Sequence, residues 1–334
     1  MSTILRRSKN VRSFAVSSIA LAALVLAAGA DWAFSASYPA RPVRIITTSL
    51  PGSATDVPAR AVADRLTQLW GQQFVVDNRP GAGGRIAVEL ASKATPDGHT
   101  LLLTSDGPMA IGPAIKRRLP YDPLSDFAPV AFADFNNYIL VVNPALTAHS
   151  VAELVNLARS RPGALRYGSA GLGSPNHMGM ELFKLKAGID VVHVPYKGGP
   201  AATIDLLAGR IELAMLGPPA IPHVKAGRLR AIAVPGARRS ELMPELPTIA
   251  DTVPGVDVRT WGAFFAPAGT PEPILSKLHR EITRVLSLPE TRKLFAAHGL
   301  SVEAMTREEL WELLKADMRK HAEVVRTLKL PLLD

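Results

Sequence analysis

The residues with chemistry to offer gather in four loops. These are Ser49-Leu50-Pro51-Gly52-Ser53 running on to Asp56, Ser105-Asp106-Gly107-Pro108, the stretch from Gly168 to Asn176, and Tyr196-Lys197-Gly198-Gly199. Their composition suits an anion. Glycine lacks the Cβ that would hold a backbone away from a ligand, serine offers a short hydroxyl donor, and a helix that begins where such a loop ends presents unpaired N–H groups and partial positive charge. A carboxylate or a phosphate fits that chemistry. The charged side chains in these loops are Asp56, Asp106 and Lys197. Asp56 reads either as a general acid–base or as a carboxylate stabilising a helix start. Lys197 either neutralises an anion or stands in solvent, and Tyr196 lines a pocket or packs against its lobe. His177 follows the Gly-Ser loop three positions into a helix, where it can donate to a bound carboxylate or serve the helix start.

Several other chemistries are excluded. With no cysteine there are no disulfides, thiol nucleophiles or Cys-ligated metals. The eight histidines form no pair at ligand spacing, so no metal is expected. Gly171-Leu172-Gly173 resembles the start of a dinucleotide fingerprint, but Asn176 stands where the third glycine belongs. No Walker sequence or G-x-S-x-G elbow occurs. Without a nucleophile beside a base, or paired carboxylates with displaced pKa values, no catalytic residue is expected.

The elements that position these loops repeat a unit of short apolar strand, Gly/Pro/Ser-rich loop and helix, the pattern of α/β folds with largely parallel sheets. Strands are expected at Val43–Thr47, Thr100–Thr104, Tyr138–Val142, Leu165–Tyr167, Val191–Val194, Ile211–Met215, Leu229–Val234 and Thr260–Ala266. A helix starts at Thr55 or Asp56, with Pro58 in its first turn, and carries Val62 and Leu66 at helical spacing. Ser150 with Glu153 caps another, Ser174 and Pro175 open a third, and one runs from Pro200 to Gly209. Helices from Pro273 to Leu286 and from Glu308 to about Leu328 end the chain, the last with Leu310, Leu314, Met318, Val325 and Leu328 on one face. In open α/β sheets ligands lie at the carboxyl ends of strands, where the four loops must stand.

The N-terminus points to export. Arg6, Arg7, Lys9 and Arg12 precede an apolar stretch from Phe14 to Ala30, then Ala33, Ser35, Ala36 and Ser37. That order is a signal peptide, with cleavage after Ser37 and alternatives after Ser35 or Ala30. Arg6-Arg7 leaves a twin-arginine route open beside ordinary secretion. Removing residues 1–37 takes away four Lys/Arg and one Asp, lowering the formal charge from +9 to +6. The remaining basic residues are scattered, and pairs such as Arg117-Arg118 and Arg238-Arg239 have no interleaved aromatics, so no nucleic-acid partner is expected.

From Tyr38-Pro39 onward the chain resembles the Bug family of periplasmic receptors, the binding components of tripartite tricarboxylate transporters. The marks are Pro51-Gly52 with Ala54-Thr55-Asp56, Asp77-Asn78-Arg79-Pro80-Gly81-Ala82-Gly83-Gly84, Pro96-Asp97-Gly98, Leu119-Pro120-Tyr121-Asp122-Pro123 and Asp126-Phe127-Ala128-Pro129-Val130. Tyr167-Gly168-Ser169-Ala170-Gly171, His193-Val194-Pro195-Tyr196-Lys197-Gly198, Leu246-Pro247-Thr248 and Ala266-Pro267-Ala268-Gly269-Thr270-Pro271 follow in order. The resemblance implies a two-lobed, type II Venus-flytrap periplasmic-binding-protein fold, no cofactor, and a carboxylate held in the cleft by loop backbone, hydroxyls and water. It carries over onto Asp56, Ser105, Ser169, Ala170, Gly171, Ser174, His177, Tyr196 and Lys197, with Asp106 beside Ser105. The first loop departs from the family pattern of Pro-aromatic-Pro-Pro-Gly-Gly. Ser49 stands for the aromatic, Gly52 is kept, and Ser53 adds a hydroxyl. Near Met215-Leu216-Gly217 a small polar or acidic residue common in the family is absent, which makes an aromatic or branched acid a candidate.

The expected division is a signal peptide at 1–37, one lobe from 38–142 plus 236–334, and a second lobe from 143–235. The function implied is a monomeric periplasmic receptor that closes on a small carboxylate and presents it to membrane permease subunits. A sensor kinase as recipient of the same closed form, and an exported enzyme on the same scaffold, are the alternatives.

Overall fold

The computed structural model describes residues 38–236, 238–240 and 243–334; the expected signal peptide lies outside the described residues. The first lobe begins with β1 (Val43–Thr47), α1 (Asp56–Trp70), β2 (Phe74–Asn78), α2 (Arg85–Ser92), β3 (Thr100–Ser105) and β4 (Phe127–Asn136). Helix α1 forms as its residues dictate. Pro58 sits in the first turn, Val62, Ala63 and Leu66 are buried on one face, and Gly71 stops it at φ 68°.

The chain then builds the second lobe from β5 (Ile139–Val142), α3 (Val151–Ser160), β6 (Arg166–Ser169), α4 (Pro175–Ala187), β7 (Val192–Pro195), α5 (Gly199–Leu207), β8 (Leu213–Leu216) and β9 (Arg230–Ala233). It returns through β10 (Thr260–Pro267), α6 (Glu272–Leu286), α7 (Pro289–Ala297), β11 (Leu300–Ser301) and α8 (Arg307–Thr327). Thr306 and Glu309 close a full capping box at the start of α8.

Two sheets result. The first has the order β11-β4-β10-β3-β1-β2, the second β7-β6-β8-β5-β9. Strand β1 runs parallel to β2 and β3, and β6 parallel to β7 and β8. Strands β10 and β5 run antiparallel to their neighbours. The carboxyl ends of β1, β3 and β6 therefore lead into the loops at 48, 105 and 169.

The expected lobe boundaries need correction. Strand β5 hydrogen-bonds to β8 and β9, so the second lobe opens at Ile139 rather than 143. Ile249, Val253, Val256 and Val258, expected in the first lobe, pack in one core cluster with Leu140, Leu213 and Met215 of the second sheet. An apolar run such as Ile139–Val142 is buried on both faces and does not say which sheet takes it. Strands β2 and β4 also escaped the sequence reading; Pro129 inside β4 argues locally against a strand.

Helix α8 and a close loop contact help to join the lobes. Helix α8 gives Leu310 and Leu314 to a first-lobe core and Val324 and Val325 to the second. Gly299, just before β11, lies against Pro218, just after β8. Among the described residues no helix is long and apolar enough to cross a membrane.

Candidate functional site

A cleft of about 510 Å³ opens between the lobes, within the range of small-molecule sites. Thr48, Ser49, Gly81 to Arg85, Ser105, Gly107, Pro108 and Tyr121 line its first-lobe side. Ala170, Leu172, Gly173, Ser174 and Pro175 line the second, while Ile115, Lys116, Leu119 and Leu333 complete the wall.

The first-lobe side depends on an unusual backbone. Gly81, Ala82, Gly83 and Gly84 all have positive φ, at 119°, 49°, 65° and 90°, a run that side chains other than glycine rarely accept. A Cβ on Gly84 would lie 3.1 Å from Pro108 Cγ and 3.2 Å from Thr48 Cβ, so three loops meet there. The path delivers Arg85 to the first position of α2. Arg85 is half-buried in the cleft wall; its backbone N–H donates to Ala82 O, and among the described residues its guanidinium has no hydrogen-bond or ion-pair partner. Tyr121 beside it donates its hydroxyl to Pro108 O at 2.9 Å.

The second-lobe side is the start of α4. Ser174 Oγ lies 2.6 Å from Gly171 O and 2.8 Å from Asn176 Oδ1. Asn176 Oδ1 accepts from Ala170 N–H at 3.2 Å, and its Nδ2 donates to Met215 O at 3.3 Å. His177 Nδ1 accepts from Gly173 N–H at 3.2 Å, which puts its proton on Nε2. The His177 ring lies 4.3 Å from that of His193, whose Nε2 is 2.7 Å from Ser169 Oγ. Burial lowers the pKa of His177. Burial, followed by His177 itself, pushes His193 down to about 4. Both rings are neutral near pH 7, and they brace the loop from beneath.

Of the residues singled out in sequence, Ser49, Ser105, Ala170 and Ser174 line the cleft. The others lie elsewhere. Gly52 donates its N–H to Asp56 at 2.7 Å, and Ser53 Oγ is buried without a partner among the described residues. The Asp56 carboxylate is buried, accepting also from Arg60 Nε and Asn78 Nδ2 at 2.8 Å each. Burial pushes its pKa up, but Arg60, Gly52 and Asn78 prevail and hold it below the usual range. It is the clip of the first loop. Asp106 is 3% exposed and faces Lys320 and His321 in a small separate cavity. Burial, with Asp317 nearby, pushes its pKa up to about 8. Ser169 is fully buried, and Gly171 turns the loop at φ 121°. Tyr196 donates to Asp205 at 2.8 Å, and Lys197 is exposed.

Sequence reasoning passed over Arg85, Lys116, Tyr121 and Leu333 as site residues. The first had a signal, because Gly81-Ala82-Gly83-Gly84 opening a helix is the same loop pattern used elsewhere. Leu333 had none, since its contact with Ile115 joins segments more than two hundred positions apart. Among the described residues no group of His, Asp and Glu could hold a metal ion.

A family model described as "Tripartite tricarboxylate transporter family receptor" matches residues 58–330. The chain is 36% identical to protein BugT of Bordetella pertussis over 293 residues, covering 87% of this chain and 90% of that protein. Among solved structures it is similar to R. palustris Rpa4515 with adipate, at 34% identity and a TM-score of 0.76, covering 89% of this chain and all of the other. It is also similar to MatC (Rpa3494) from Rhodopseudomonas palustris with bound malate, at 28% identity and a TM-score of 0.71, covering 86% of this chain and all of the other.

Proposed function

The chain belongs to the tripartite tricarboxylate transporter receptor family, and on that premise we propose that it captures a small dicarboxylate between its lobes and hands it to a membrane permease. A receptor, it binds and releases its ligand unchanged. The observation that carries the reading is Arg85, a cation in the cleft wall at the start of α2 with no partner among the described residues. A guanidinium matches a carboxylate with two parallel N–H donors, and Ser49 and Ser105 add hydroxyls on the same side. We place a second carboxylate on the other side, at the N-terminus of α4, where Ser174 makes no side-chain cap and leaves first-turn N–H groups open. Two anion-receptive ends in one cleft favour a ligand with two carboxylates. The adipate and malate of the two similar structures are such acids.

The signal peptide read in residues 1–37 supports a periplasmic location. Binding energy that differs between open and closed arrangements supplies the switch the permease would recognise. The direct test is mass spectrometry of ligand released on denaturing protein purified from its native periplasm. A dicarboxylate supports the reading; a ligand without a carboxyl group would sink it.

A further inference from the structure

Part of the cleft wall is apolar, and one piece of that wall comes from far along the chain. Leu333 N–H donates to Ile115 O at 2.7 Å, and Arg117 N–H donates to Leu333 O at 2.9 Å, so residue 333 pairs in parallel with Lys116. Lys116 Nζ donates to the main-chain oxygen of Asp334 at 2.8 Å. Leu333 is thus fixed by main-chain bonds on both sides and is half-buried in the cleft wall. It meets the second lobe directly: its Cδ1 lies 3.4 Å from where a Cβ on Gly173 would stand. Ile115, Leu119, Leu172 and Pro108 continue the apolar surface around it. Lys116, the cation nearest this wall, already donates to Asp334. Ser49, Ser105 and Thr48, whose hydroxyls have no hydrogen-bond partner among the described residues, stand on the first-lobe side with Arg85.

From this arrangement we infer that Leu333 is a specificity-determining residue, selecting dicarboxylates whose two carboxyl groups are joined by bare hydrocarbon over hydroxylated acids of equal length. The inference rests on the dicarboxylate reading of the cleft. Its physical basis is that a ligand hydroxyl placed against Leu333 loses its water and gains no partner, whereas methylenes there leave water for an apolar wall. An apolar pocket discriminates against one added hydroxyl by about 100-fold at most.

The test is calorimetric titration of the full chain with adipate and with 3-hydroxyadipate, for wild type, Leu333→Ser and Leu333→Met. Wild type is expected to bind adipate about 10- to 100-fold more tightly. Leu333→Ser should bring the ratio to within about threefold and Leu333→Met should keep most of it, with unfolding midpoints confirming that both variants fold. Equal affinity of wild type for both acids, or an unchanged ratio in Leu333→Ser, overturns the inference and leaves the dicarboxylate reading standing. Failure of wild type to bind either acid overturns the inference, and the dicarboxylate reading falls with it only if malate also fails to bind.

Discussion

Gly299 of the first lobe and Pro218 of the second meet so closely that a Cβ on Gly299 would fall 1.8 Å from Pro218 Cγ. Gly299 also holds φ at 75°, where side chains are strained. Gly299→Ala should therefore lower stability by about 1–3 kcal/mol and push the lobes apart at this point. Thermal melts and the radius of gyration from small-angle scattering read the two effects. Adding Pro218→Gly should restore the scattering profile while leaving the φ strain, so a double variant no different from Gly299→Ala would count against a steric origin.

Arg85→Ala should weaken dicarboxylate binding by roughly 1.5–3 kcal/mol, the usual loss for a hydrogen bond to a charged group. The melting temperature of the free protein should barely change, because the Arg85 guanidinium makes no hydrogen bond or ion pair among the described residues. Arg85→Lys should recover only part of the affinity, since an ammonium lacks the planar fork. Titration calorimetry beside a melt decides, and an unchanged Kd in Arg85→Ala would remove this residue from the site.

Asp106 predicts a pH dependence with a definite sign. Its folded pKa, about 8, is raised above the unfolded value of about 3.9 by burial and by Asp317. The folded state therefore holds the proton more tightly, and the stability this supplies is complete below about pH 4 and lost as pH rises towards 8. Asp106→Asn should be more stable than wild type at pH 8 and nearly equal to it at pH 4. Denaturant melts at the two values read the difference; an equal shift at both would show that the carboxyl does not titrate in this window.

His177→Ala removes the acceptor for Gly173 N–H and leaves a donor unpaired beneath the cleft loop. We expect a loss of about 1–3 kcal/mol in stability and faster amide exchange at residues 171–174. Protection of Gly173 equal to wild type would mean that another group holds the loop.

The sequence reading of fold was accurate where periodicity and turn chemistry agree. Val43–Thr47 is β1 to the residue, and the helix opened by Ser174 and Pro175 is α4. It faltered where tertiary pairing decides, as in the sheet that takes Ile139–Val142. For the cleft, the loops were legible but the individual side chains were not. Ser105 and Asp106 are neighbours at the end of β3, yet one lines the cleft and the other enters a separate buried cavity. The chain passes from strand to helical backbone between them, and composition cannot say which way each side chain then turns. Ser169 ends β6 and is fully buried, while Ala170, in the loop after it, lines the cleft.

Helix α8 carries a mechanical consequence. Its start is embedded in one lobe and its end in the other, and between them Asp317 accepts from Trp261 Nε1 at 2.7 Å while Lys320 donates to Asp257 O at 3.2 Å. A continuous rod anchored at both ends acts as an axle. Any wide swing of one lobe against the other would have to bend the rod or tear one end from its bearing.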